Sequence, residues 1–100
     1  MNINIEQNKQ NVNITITGRV DTITAPELET AIEQLMSQNG LTIRVNCTEM
    51  SYVSSSGLRV FLKLLKSTTA NSGTLSIENL SAEIREVFDI TGFSSLFNLE

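Results

Sequence analysis

Residues 41–65 read LTIRVNCTEMSYVSSSGLRVFLKLL. Leu41, Ile43, Val45 and Cys47 alternate with Thr42, Arg44 and Asn46, the period of a strand with one apolar face. Leu58, Phe61, Leu62 and Leu65 then recur at helical spacing. Between them, residues 48–56 are polar apart from Met50, Tyr52 and Val53, and read as the approach to the helix. That helix is expected to begin at Ser55 or Ser56 and to end around Ala70, before the turn Asn71-Ser72-Gly73. A strand feeding directly into a helix is half of a β-α-β unit and points to an α/β domain.

The flanks extend the pattern. Upstream, Ile3 and Ile5 alternate with Asn2, Asn4 and Glu6, and Val12, Ile14 and Ile16 alternate with Asn13, Thr15 and Thr17. The polar connector at 8–11 makes the two a hairpin, and Gly18 is expected to end the second strand. Thr24-Ala25-Pro26-Glu27 reads as a helix start: Thr24 as cap, Glu27 reaching back, Pro26 tolerated in the first turn. Leu28, Ala31, Ile32, Leu35 and Met36 continue this helix to a stop at Asn39-Gly40. Downstream, Leu75 and Ile77 mark another strand. Ser81 caps a third helix with inward Ile84, Val87 and Phe88, stopped by Gly92. Phe93, Leu96, Phe97 and Leu99 form an apolar tail, a short strand or helical turn.

The order β-β-α-β-α-β-α predicts one domain over 1–100. Its sheet should have four to five mostly parallel strands with an antiparallel N-terminal strand. The polar residues Thr42, Arg44 and Asn46 put the helices mainly on one face, because a strand covered on both sides would be continuously apolar.

Composition narrows the function. The chain has 100 residues, 40% of them hydrophobic and 18% charged, an ordinary globular balance. It contains no histidine, which excludes Ser-His-Asp and Cys-His catalytic devices and histidine metal sites. The single Cys47 can form neither an intrachain disulfide nor a zinc cage, and in a strand pattern it reads as a small buried hydrophobe. A net charge of -4 with seven basic residues lacks the electrostatic footprint of a nucleic-acid binder. The N-terminus lacks a basic segment followed by an apolar core, and no apolar run approaches a membrane span. A soluble, cytoplasmic protein without membrane insertion or a cofactor of its own is expected.

In open α/β sheets, sites lie beyond the carboxyl ends of the strands. The connector Ser51-Tyr52-Val53-Ser54-Ser55-Ser56-Gly57 reaches that end, as does the one at 18–24. One serine suffices to cap a helix; three in a row exceed that need. A helix N-terminus has unpaired N–H groups and roughly half a positive charge, so a phosphate added there is stabilised.

Tyr52-Val53-Ser54-Ser55-Ser56-Gly57-Leu58-Arg59 resembles the phosphorylation motif of bacterial STAS-domain anti-sigma factor antagonists. Residues 18–29, GRVDTITAPELE, are similar to that family's second signature, the loop entering its first helix. The resemblance implies partner switching. The unphosphorylated antagonist binds an anti-sigma factor that is also a serine kinase, and a sigma factor is released. The kinase phosphorylates the antagonist, using its own ATP and magnesium, and a metal-dependent serine phosphatase reverses the mark. By position in the motif Ser55 is the phosphoacceptor, with Ser56 and then Ser54 as rivals. Ser54 stands where the family often has aspartate. Arg19, Asp21, Thr22, Ser54, Ser56, Gly57 and Arg59 make up the expected docking surface. Two other readings compete. One is a serine-nucleophile enzyme, for which Lys63 or Lys66 would have to be the base. The other is an unphosphorylated STAS adaptor subunit in a larger signalling or transport complex.

Overall fold

The alternating residues near the N-terminus fold as a hairpin of β1 (Asn2–Asn8) and β2 (Asn11–Val20), paired antiparallel with Ile3 opposite Ile16 and Ile5 opposite Ile14. The computed structural model describes residues 1–100. After the hairpin come α1 (Ala25–Ile32), β3 (Thr42–Val53), α2 (Ser55–Ala70), β4 (Thr74–Glu78), α3 (Ala82–Ile90) and β5 (Asn98–Leu99). The five strands lie in sequence order, and every pair after the hairpin is parallel.

The sheet buries one face. Val12, Ile14, Ile16, Ile43, Val45, Leu75 and Ile77 point into the core, where Leu28, Ile32, Leu58, Phe61, Leu64, Ile84 and Phe88 meet them from the helices. On the opposite face Arg44 and Glu78 join across neighbouring strands at 2.8 Å in solvent. The α/β architecture, the antiparallel first strand and the one-sided helix layer all match the sequence reading. Cys47 is buried, and burial pushes its thiol up to about 12, so it stays a neutral packing group at physiological pH.

Four details differ from the sequence reading. The connector at 48–56 is largely strand, since β3 runs on to Val53. Two register shifts each place an extra residue on β3 opposite β2, between Thr15 and Thr17 and between Gly18 and Arg19. Each bulge moves the inward phase by one residue, so Cys47, Met50 and Val53 all face the core at intervals of three. Period-two scanning cannot see such a strand. β2 likewise passes through Gly18, which takes a φ of +96° beside the backbone of Met1 and lets the strand continue to Val20.

The first helix is shorter than expected. It ends at Ile32 and tightens into a 3-10 turn over Glu33–Leu35, which still buries Leu35. The capping box does not form either. Thr24 makes no side-chain cap; its hydroxyl donates to the Arg19 carbonyl at 2.8 Å and accepts from the Asp21 amide at 2.9 Å. The tail contains both expected forms, a 3-10 turn at Phe93–Ser95 followed by β5.

Candidate functional site

The site grows from the last residue pair of the two central strands, Val20 opposite Val53. One step further, the Ser54 amide donates to the Val20 carbonyl at 2.8 Å and closes the ladder. Ser54 then turns the chain: its extended backbone makes it the N-cap of α2, and its hydroxyl oxygen accepts from the Gly57 amide at 3.3 Å. The first helical bond runs from the Leu58 amide to the Ser54 carbonyl at 2.9 Å. The amides of Ser55 and Ser56 therefore have no acceptor within the helix. Ser55 is exposed at the first helical position, Ser56 is half-buried, and Arg59 is exposed one turn below Ser55.

Gly57 faces inward. A Cβ there would lie 2.7 Å from Val20 Cγ1, 2.9 Å from Val53 Cγ2 and 3.2 Å from the Val20 carbonyl oxygen. The glycine lets the helix start press onto the two strand ends. It is buried in this seam, which the sequence reading, by placing Gly57 in the docking surface, did not anticipate.

The neighbouring loop is ordered by Asp21. One carboxylate oxygen accepts from the amides of Ile23 and Thr24 at 3.0 and 3.1 Å. The Thr24 amide bond, foremost among these contacts, holds the Asp21 carboxyl below its ordinary range. Asp21 makes no bond to Ser55; its carboxylate builds its own turn and stays part-exposed. Arg19 lies across from Tyr52, with its guanidinium 4.3 Å from the ring centre, and approaches Asp21 at 3.6 Å. Thr22 is exposed and shares an open groove of about 310 Å³ with Pro26, Glu29, Ser56, Arg59 and Lys63.

Across that groove Lys63 pairs with Glu29 at 2.5 Å, and the hydrogen bond raises the lysine's pKa. A base that activated a serine would need the opposite shift. The arrangement is an exposed hydroxyl at a positive helix end, suited to display and modification and lacking the activated partner of a nucleophile.

The family model described as STAS domain matches residues 2–100. This chain belongs to the STAS domain family. It is 32% identical over 99 residues to the anti-sigma-B factor antagonist of Bacillus subtilis, covering 99% of this chain and 90% of that one. The corresponding protein of Listeria monocytogenes is 33% identical over 103 residues, covering 100% and 90%. That of Staphylococcus aureus is 34% identical over 101 residues, covering 99% and 94%. Among solved structures, the unphosphorylated anti-sigma factor antagonist SpoIIAA superposes with a TM-score of 0.77 at 22% identity, covering 99% of this chain and 87% of that one. Phosphorylated SpoIIAA gives 0.76 at 23%, covering 99% and 91%. An anti-sigma factor antagonist from Mycobacterium paratuberculosis gives 0.85 at 19%, covering 98% and 83%. These solved structures establish the shared fold. STAS proteins of the antagonist type are regulatory binding modules, not enzymes. No helix of this STAS chain is long and apolar enough to cross a membrane.

The STAS fold thus brings Arg19, Asp21, Thr22, Ser54, Ser55, Ser56 and Arg59 to one end of the sheet and turns Gly57 away from it. Sequence reasoning passed over two exposed apolar residues at the same end, Ile23 at 81% exposure and Tyr52 at 40%. An isoleucine inside a turn otherwise built of aspartate and threonine was the available signal. Replacing Ser54 by alanine removes the α2 cap and is expected to lower stability by about 1 kcal/mol, read from urea or thermal unfolding. Ser54→Asp should keep the cap, since aspartate caps as well as serine.

Proposed function

We propose that this chain is an anti-sigma factor antagonist acting in the cytoplasm. Unphosphorylated, it binds an anti-sigma factor serine kinase and so releases a sigma factor. Phosphorylation of Ser55 ends the interaction, and a serine phosphatase restores it. The observation that carries this reading is the exposed Ser55 hydroxyl at the first position of α2, beyond the carboxyl ends of β2 and β3.

Physics supports the choice of Ser55 over its rivals. The Ser54 oxygen is engaged as the cap, and Ser56 is half-buried towards the α1–α2 groove. Ser55 alone of the three is exposed. A phosphate there adds about 1.5 to 2 negative charges beside two amides without helical acceptors, so the helix tolerates it. The relatives from Bacillus, Listeria and Staphylococcus are named for antagonising an anti-sigma factor. SpoIIAA has been solved with and without its phosphate, and this chain fits both forms equally well.

The test is incubation with the anti-sigma factor kinase of the same genome and ATP, followed by mapping of the modified residue. Phosphate on Ser55, and none on a Ser55→Ala variant that still binds the kinase, is the expected result. Phosphate on Ser54 or Ser56 with Ser55 unmodified would reject the assignment.

A further inference from the structure

Four large apolar side chains are exposed: Ile23, Tyr52, Ile90 and Leu96. Scattered apolar residues on a surface need no explanation. Ile23 differs in how it is held. It sits at the tip of the β2–α1 loop, where glycine, asparagine or serine would serve the turn as well and a β-branched residue contributes nothing to it. Its own amide is fixed by Asp21 Oδ1 at 3.0 Å, and the Thr24 hydroxyl ties the loop back to the Arg19 carbonyl at 2.8 Å. The Ala25 amide adds a bond to the Asp21 carbonyl at 2.8 Å. A stiff side chain is thus displayed at 81% exposure on a loop already ordered. Little conformational freedom remains to be lost when a partner covers it.

Its position is also specific. Thr22, the preceding residue, lines the groove with Ser56 and Arg59, and the loop springs from Val20, whose carbonyl receives the Ser54 amide. Ile23 therefore stands at the end of the molecule that displays Ser55, which it shares with Tyr52 and a majority of polar groups. Apolar anchors ringed by polar residues are the usual source of affinity in docking surfaces.

We propose that Ile23 is the apolar anchor of the docking surface, inserted into a hydrophobic pocket of the anti-sigma factor kinase. The inference rests on the partner reading above and assigns the work within it: Ile23 supplies affinity, and Ser55 controls whether that affinity can be used. The contact is apolar, so its contribution does not fade with salt, whereas charge steering does.

The experiment measures binding of the full chain to the purified kinase from the same genome, at two salt concentrations. Ile23→Thr keeps a β-branched residue in the turn and removes apolar surface; it is expected to weaken binding roughly ten- to a hundredfold, equally at both salts. Ile23→Val should stay within about threefold of the parent. Ile90→Thr, which changes an equally exposed residue at the end of α3, should stay within about twofold. Melting curves should be unchanged, because Ile23 packs against nothing in the core. If Ile23→Thr binds as the parent does while Ser55→Asp is lost, the anchor is wrong and the switch stands. If Ile90→Thr loses as much as Ile23→Thr, the anchor is equally wrong. If the parent itself fails to bind, the partner reading falls and the anchor with it.

Discussion

A Ser55→Asp variant is expected to lose roughly a hundredfold or more in affinity for the anti-sigma factor kinase while melting at or slightly above the parent temperature. Two opposite effects of one charge produce this pair of results. Within the molecule the carboxylate stands at the first position of α2, where negative charge near the helix N-terminus stabilises by about 0.3–1 kcal/mol. In the complex the same group must leave water. An unpaired polar or charged group buried at an interface costs several kcal/mol, and about 3 kcal/mol is already two orders of magnitude in affinity. Arg59, one turn along and free of any ion pair, offsets little of this, because an exposed pair is worth a fraction of a kcal/mol. Calorimetric titration and a melting curve on one preparation check both halves. Binding equal to the parent's would reject the switch; early melting would reject the claim that the helix end tolerates charge.

Phe88→Ala is expected to lower stability by about 4 kcal/mol. Phe88 is fully buried on α3. Its ring centre lies 6.3 Å from that of Phe61 on α2 and 5.7 Å edge-on from that of Phe97 in the tail, so it joins the last third of the chain to the rest. Truncation removes these contacts and opens a cavity that rigid neighbours fill only in part. At roughly 4–8 °C per kcal/mol for a domain of this size, the melting temperature should fall by about 15–30 °C. Differential scanning calorimetry reads this directly, and a fall of only a few degrees would mean that the tail repacks over the gap.

The fold was legible wherever periodicity was undisturbed. The alternations at Val12–Ile16 and Leu41–Cys47 and the stripe from Leu58 to Leu65 predicted their elements because their apolar residues fall on one face, buried in the strands and buried or, at Leu62 and Leu65, partly buried in the helix. Legibility failed at 48–53, where two bulges replace period two by intervals of three. The site was half legible. Ser54, Ser55 and Ser56 announced a helix start by composition, and the structure divides them into a cap, an exposed hydroxyl and a groove-lining residue. Gly57 and Asp21 looked like contacts because both lie in the motifs. What each one does depends on atoms distant in sequence or on hydrogen-bond direction, the methyl groups of Val20 and Val53 in one case and the amides of Ile23 and Thr24 in the other. Ile23 was overlooked because apolar residues are first assigned to the core, although its place in a turn of aspartate and threonine marked it as one that stays outside.

The seam at Gly57 bears on how a switch here would work. The head of α2 rests on both central strands with no space for one added methyl. On the function proposed above, a phosphate on Ser55 would therefore act through charge at the surface and not by prising the helix start off the sheet, and its effect would come and go with the covalent bond.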